Sequence, residues 1–173
     1  MLHTALVVAV PEAPEAVAAW MERASHSKPS NGVPPHITVL TPFMPADALD
    51  ERVVMELRGL FARFAPFRFT LTRCARFPQA LYVEPEPPEP FVALTRAVVA
   101  RYPEYPPYEG VFDTVVPHLT VAEGPVNVLD AAQSGVEPHL PVAVRADEVV
   151  LLEEVEPDGA RWRTHSRLPL GDG

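Results

Sequence analysis

The chain has a single cysteine, and its apolar runs are short. Cys74 alone cannot form a disulfide within the chain or a zinc site built from several cysteines. The longest apolar run near the start, Ala5 to Val10, ends at Pro11 and Glu12. It is too short to cross a membrane and lacks the basic flank of a signal peptide. We therefore expect a cytoplasmic protein that makes no contact with a membrane.

Basic side chains are scarce too. Fourteen Lys and Arg residues stand against 23 Asp and Glu residues, which gives a net charge of −9, and Lys28 is the single lysine. Proteins that bind long duplex nucleic acid by charge usually carry a basic face or a basic tail. This sequence has neither, so long duplex nucleic acid is not the expected partner.

The composition is that of one globular unit. The chain has 173 residues, of which 47% are hydrophobic and 21% charged. This excludes a disordered chain and a membrane protein, and the length suits one core. We expect a single domain over residues 1–173, and a monomer.

Hydrophobic periodicity predicts strands and helices that alternate along the chain. Pro14 and Asp47 are placed to begin helices, and a third helix follows the proline-rich segment EPEPPEP at 84–90. We interpret this segment as a turn into that helix; the alternative is a boundary between domains. The remaining predicted elements are a short helix at 128–133 and strands at 2–10, 37–40, 67–75, 80–83, 142–155 and 161–168.

One short motif occurs twice. PPHITVLTPF, at 34–43, contains Pro-His-Ile-Thr-Val, and VVPHLTVAEG, at 115–124, contains Pro-His-Leu-Thr-Val. Residues two apart on a strand point to the same face, so His36 shares a face with Thr38, and His118 with Thr120. The aliphatic residues between them point to the opposite face, toward a core.

The two copies lie 82 residues apart, about half the chain length, and occupy comparable places in a repeated order of strand, helix, strand, strand. This repetition predicts an α+β fold of two pseudo-symmetric lobes, each with an antiparallel sheet and helices. The lobes would face each other across a cleft. A twofold relation would bring the two His-Thr faces together there.

Two imidazoles and two hydroxyls suit a phosphodiester. With a reference pKa of about 6.5, one neutral histidine can serve as general base while a second, protonated one serves as general acid. The threonine hydroxyls can donate hydrogen bonds to the non-bridging phosphate oxygens. This chemistry needs neither a metal nor a cofactor, and the sequence shows no acidic cluster at metal-ligand spacing.

The paired motifs resemble the signature of the 2H phosphoesterase superfamily, in particular its 2'-5' RNA ligase-like branch. The segments LYVEPEPPEPFVALTRAV and FDTVVPHLTVAEG extend the resemblance over most of the chain. It implies a bilobal fold and the opening of 2',3'-cyclic phosphates, on RNA termini or small nucleotides, often to 2'-phosphates. In some members it implies reversible, ATP-independent 2'-5' joining of RNA.

Carried over by position, the resemblance makes His36 and His118 the catalytic pair and Thr38 and Thr120 the phosphate-binding hydroxyls. Which histidine is the base depends on the direction of reaction; for ring opening to a 2'-phosphate we expect His118 as base toward water and His36 as acid toward the 3'-oxygen. The sequence departs from several relatives just after the second motif, where they have a basic residue and this chain has Ala-Glu-Gly at 122–124. An acid at Glu123 disfavours long RNA.

Five further residues are candidate substrate contacts. Phe43, Phe77 and Tyr82 are aromatic side chains that can stack on a base, with a place in the core as the alternative. Arg73 and Arg76 are candidate phosphate contacts, with solvated surface arginines as the alternative. Strand alternation counted from the apolar position 71 predicts that the two arginines lie on opposite faces, with Arg73 on the same face as residue 71.

Other histidines and aromatic residues are given smaller roles. His139 has proline where the motif has threonine, which predicts a loop histidine, and His165 in the last strand is interpreted as a surface residue. Trp162, between two arginines, is either a platform for a nucleotide or part of a hairpin edge.

Three rival functions remain. The same chemistry suits another nucleotide-derived cyclic phosphate. The two His-Thr pairs could also belong to a non-catalytic module that binds RNA ends or nucleotide phosphates, although capture alone would not need two titrating groups. A zinc site on His36 and His118 would lack the third protein ligand that a catalytic zinc normally has.

Overall fold

A computed structural model of the chain describes residues 1–112 and 114–171. Positions 113, 172 and 173 of the expected 1–173 domain lie outside the described residues. The strands are β1 (Thr4–Ala9), β2 (His36–Leu40), β3 (Phe67–Phe77), β4 (Ala80–Glu86), β5 (Leu119–Glu123), β6 (Val142–Ala146), β7 (Glu148–Glu156) and β8 (Arg161–Pro169). The helices are α1 (Glu15–Ala24), α2 (Glu51–Phe61), α3 (Glu89–Arg101) and α4 (Val126–Val136).

The strands form two four-stranded antiparallel sheets, in the orders β2-β1-β7-β8 and β5-β4-β3-β6. The α+β fold with two lobes is therefore confirmed. The lobes are not simply the two halves of the sequence, because the first sheet joins strands from both ends of the chain and the second is built from its middle. Each motif strand is an edge strand, and β2 and β5 contact each other.

The helices tie the lobes together by crossing between them. Helix α1 follows β1 of the first sheet but packs on β5 of the second, and α3 follows β4 of the second sheet but packs on β2 of the first. One continuous core results, containing fully buried side chains from both sheets and from the helices between them, among them Leu6, Ile37, Phe91, Leu119 and Met21. Burial of apolar area is the main stabilising contribution, and here the two lobes share it.

The start of α2 corrects one sequence prediction. Asp47 does not open the helix; it lies in a short 3₁₀ turn, and α2 begins at Glu51. Asp50 is the N-cap, because its side chain accepts a hydrogen bond from the Val53 backbone N–H at 2.9 Å. A carboxylate at this position satisfies an otherwise unpaired helix N–H.

The proline-rich segment 84–90 passes directly from a strand into a helix. Strand β4 runs through its first half to Glu86, and α3 begins at Glu89, so the segment joins two packed elements. Pro85 is buried, while its flanking acidic side chains are less so. The predicted turn into a helix is present, but it is shorter than the sequence indicated.

A bulge in β3 overturns the alternation predicted for this strand. Leu71 pairs with Pro85 and Cys74 with Val83, so β3 advances three residues while β4 advances two. An extra residue of this kind shifts the side-chain phase. Cys74 therefore packs against the core and Arg73 is exposed, so the prediction that Arg73 shares the face of Leu71 is wrong.

Candidate active site

The two motif strands present their polar residues to the same cleft. His36 and Thr38 are half-buried, whereas Ile37 and Val39 are fully buried in the core. The second strand repeats the pattern, with Thr120 half-buried and its neighbours Leu119 and Val121 inaccessible. Since β2 and β5 are contacting edge strands, the two His-Thr faces lie side by side.

Each motif imidazole is held in the same way. His36 Nδ1 lies 2.8 Å from the carbonyl oxygen of Pro34, and His118 Nδ1 lies 2.6 Å from that of Val116. A carbonyl only accepts, so each Nδ1 carries the proton and donates it. The neutral rings consequently keep the lone pair on Nε2, the nitrogen available to a substrate.

The proline before each histidine gives a reason for this shared geometry. Both accepting carbonyls belong to the residue that precedes a proline, Pro35 in the first copy and Pro117 in the second. The proline ring keeps the preceding residue extended, which is consistent with its carbonyl being within reach of the imidazole two positions on. The repeated Pro-His pair was visible in the sequence, but the carbonyl partners were not predicted.

Burial lowers the pKa of both histidines. Desolvation lowers the pKa of His36, its hydrogen bond to Pro34 partly opposes this, and the charge of His118 lowers it further. Desolvation likewise lowers the pKa of His118 against the opposing bond to Val116. Because protonation of one ring disfavours protonation of the other, the pair can hold a single proton over a range of pH.

Both motif threonines keep their hydroxyls available. Over residues 1–112 and 114–171, neither Thr38 Oγ1 nor Thr120 Oγ1 makes a hydrogen bond to protein. Thr4 and Thr95, which lie in the core, donate theirs to backbone carbonyls at 2.8 and 2.7 Å. The motif hydroxyls are thus free to donate to a ligand.

Two aromatic candidates lie against the second histidine. Phe77 and Tyr82 stack with ring centroids 4.4 Å apart. The His118 ring meets them edge-on, at 5.1 Å from Phe77 and 5.5 Å from Tyr82. Tyr82 also pairs with Thr120 across the sheet. The structure therefore brings these two residues together with the motif.

The other three candidates lie elsewhere. Phe43 is buried, with 2% of its surface exposed, and packs edge-on against two tyrosines of the core. Arg73 pairs with Glu84 at 2.8 Å on the surface. Arg76 pairs with Asp130 of α4 at 2.7 Å, which directs it away from the cleft. In all three residues the side chain already interacts with other protein side chains.

A small cavity at the first histidine and an open groove share Trp162 in their linings. The cavity, of about 80 Å³, is lined by His36, Thr38 and Trp162. The groove, of about 1000 Å³, is lined by Trp162 on one lobe and Phe77 on the other. Trp162 rests on an apolar cluster that covers the cleft side of the first sheet. This placement favours the platform over the hairpin edge among the two interpretations of Trp162.

Two further features concern metals and membranes. Within the part of the chain that the structure describes, no three His, Cys, Asp or Glu side chains are grouped to share a metal ion. Over the same residues, no helix has the length and apolar character needed to cross a bilayer.

Solved structures with the same fold include TT0787 of Thermus thermophilus, with a TM-score of 0.65 and 24% identity over 100% of both chains. The E. coli LigT structures complexed with 3'-AMP and with NADP⁺ give TM-scores of 0.63 and 0.62 at 16% and 19% identity, each covering 98% of both chains. No curated protein matches the chain.

A family model provides the assignment that these distant structures cannot. The model of the 2'-5' RNA ligase superfamily matches residues 10–158, which include both motif strands and nearly all of the elements around them. The chain belongs to the 2'-5' RNA ligase superfamily.

Proposed function

We propose that the protein, a phosphoesterase-type enzyme by its family, opens 2',3'-cyclic phosphates to 2'-phosphates without a metal ion. The observation that carries this proposal is the matched pair of imidazoles. His36 and His118 donate from Nδ1 to equivalent carbonyls, and within residues 1–112 and 114–171 neither Nε2 has a hydrogen-bond partner. Each ring thereby presents Nε2 to a substrate, so the neutral ring can accept a proton while the other, protonated, donates one.

The reaction proceeds by in-line displacement at phosphorus. His118 removes a proton from water, whose oxygen attacks phosphorus opposite the 3'-oxygen. The bond between phosphorus and the 3'-oxygen breaks, and protonated His36 gives its proton to that oxygen, which leaves a 2'-phosphate. Thr38 and Thr120 donate hydrogen bonds to the non-bridging oxygens, where negative charge accumulates in the transition state.

A nucleotide is the substrate class that the cleft favours. The stacked pair of Phe77 and Tyr82 beside His118 offers an aromatic surface to a base, as does Trp162 across the groove. The E. coli LigT structures were solved with 3'-AMP and with ATP. With a net charge of −9, the protein suits a small cyclic nucleotide or an RNA terminus better than a long RNA.

Ligation would use the same site. If the 5'-hydroxyl of a second RNA replaces water as the nucleophile, the same bond to the 3'-oxygen breaks and a 2'-5' linkage forms without ATP. The alternative, a module that only binds RNA ends or nucleotide phosphates, would not need both imidazoles fixed in one tautomer.

The proposal predicts turnover of a cyclic mononucleotide in the presence of EDTA. Adenosine 2',3'-cyclic phosphate incubated with the protein should yield adenosine 2'-phosphate, because only the bond to the 3'-oxygen breaks. Phosphorus NMR distinguishes this product from its 3'-isomer and from the starting material. Loss of turnover on EDTA addition would contradict the metal-independent mechanism, and absence of turnover on mononucleotides and on short RNA ends would favour the binding module.

The pH dependence of kcat/KM should be bell-shaped, with its maximum on the acid side of the ordinary histidine pKa of about 6.5. The rate rises with pH as the base loses its proton and falls as the acid loses its own. Burial lowers the pKa of both histidines, so both limbs move toward lower pH. Initial rates in buffers of constant ionic strength test this, and a profile that rises to a plateau would count against an acid–base pair.

A further inference from the structure

A second bulge places an acidic residue in the cleft, on the strand that carries the second motif. Tyr82 pairs with Thr120, but Leu81 pairs with Ala122, so β5 contains one residue more than β4 at this point. Val121 and Ala122 are both fully buried as a result. The next residue, Glu123, returns to the face of Thr120 instead of the core face.

The Glu123 carboxylate contacts two side chains that follow helix α1. Ser25 Oγ donates to its Oε1 at 3.1 Å, and His26 Nδ1 lies 2.7 Å from its Oε2. The Glu123 side chain keeps 32% of its surface exposed and lines the groove. A carboxylate has about four acceptor sites, so each oxygen retains a lone pair for a ligand in the groove.

Phe77 lies on the same face of the second sheet as Glu123, two strands away. Phe77 pairs with Ala80, and Ala80 pairs with Glu123, so these three residues form one row across β3, β4 and β5. Adjacent strands are about 4.8 Å apart, which puts the backbones of Phe77 and Glu123 roughly 10 Å apart. A planar base that stacks on Phe77 within the groove would present an edge toward the carboxylate.

We propose that Glu123 makes the site selective for guanine, a proposal that rests on the phosphodiesterase activity proposed above. Guanine is the standard base with two adjacent N–H donors, at N1 and N2, which match the two oxygens of one carboxylate. Adenine and cytosine place an acceptor nitrogen beside their amino group, and uracil places carbonyl oxygens on both sides of its N–H. Each of those edges sets a lone pair against Glu123.

The test compares the four nucleoside 2',3'-cyclic phosphates as substrates. We expect kcat/KM for the guanosine compound to exceed the others by roughly 10- to 100-fold, the discrimination of a good bidentate contact to a base. In Glu123→Gln the amide replaces one acceptor by a donor, so the ratio of guanosine to adenosine should fall to about one or invert. Glu51→Gln, on the exposed start of α2, is the matched control and should keep the ratio.

The ratio separates recognition from a purely structural role, since loss of the Glu123 contacts to Ser25 and His26 would slow all four substrates together. Turnover of all four at similar rates would overturn the guanine proposal and leave the phosphodiesterase intact. So would a guanosine preference that survives in Glu123→Gln.

A binding measurement keeps the two proposals separable if no nucleotide is turned over. Calorimetry with guanosine 2'-phosphate and adenosine 2'-phosphate measures base preference without chemistry. Tighter guanosine binding that is lost in Glu123→Gln would support base recognition in a protein that lacks the proposed activity. Equal affinities for the two nucleotides would overturn the guanine proposal.

Discussion

Alanine in place of His36 or His118 is expected to lower the rate of ring opening roughly 10²–10⁴-fold, the usual contribution of a positioned acid or base. Each substitution removes one of the two Nε2 atoms that the hydrogen bonds to Pro34 and Val116 leave free. In the double variant the two losses of rate should not add, because acid and base act in one transition state. Single-turnover rates with adenosine 2',3'-cyclic phosphate measure both effects.

A sulfur leaving group identifies the acid. In a cyclic phosphate whose 3'-bridging oxygen is replaced by sulfur, the leaving thiolate needs no protonation. His36→Ala should then regain most of its lost rate, while His118→Ala should not. The reverse pattern would exchange the two roles, and rescue of neither would remove the acid role from both. His165→Ala, at an exposed histidine of β8, is the matched control and should retain wild-type rates.

Valine in place of Thr38 or Thr120 should lower kcat by roughly 10²-fold or more, with a smaller change in KM. The hydroxyl is a donor aimed at charge that develops in the transition state, and loss of one such donor commonly has this cost. Valine keeps the branched shape, so the strand and its packing are preserved. The kcat and KM of each variant are compared with those of wild type on the same cyclic nucleotide.

Serine provides the matched variant, because Thr38→Ser and Thr120→Ser keep the hydroxyl and should recover most of the activity. Thr70→Val, in the half of β3 remote from the motif strands, controls for a general effect of valine on a sheet. A loss in the serine variants equal to that in the valine variants would show that the methyl group matters, and not hydrogen bonding to phosphate.

The repeated motif allowed the central geometry to be predicted from sequence. Strand alternation alone puts His36 with Thr38 and separates them from Ile37, and the same holds for the second copy. This succeeds because a strand with one face in the core has a strongly specified register. The two-lobed α+β fold followed from the recurrence of the motif half a chain later.

The two bulges and the N-cap of α2 could not be predicted from the sequence pattern. Nothing in the letters around Arg73 or Glu123 indicates that a strand gains a residue there, because a bulge depends on the pairing of two distant segments. The choice of Asp50 over Asp47 as N-cap was similarly ambiguous, since both acids precede an apolar run. Phe43 is buried because it packs on Tyr102 and Tyr105, which lie 59 and 62 positions further along the chain.

The crossed helices have a consequence for folding. Each motif strand rests on a helix supplied by the other lobe, α1 on β5 and α3 on β2. Either lobe on its own would lack a helix for its motif strand, and its own helix would lack a strand to cover. The two lobes are therefore expected to unfold together, in one cooperative transition.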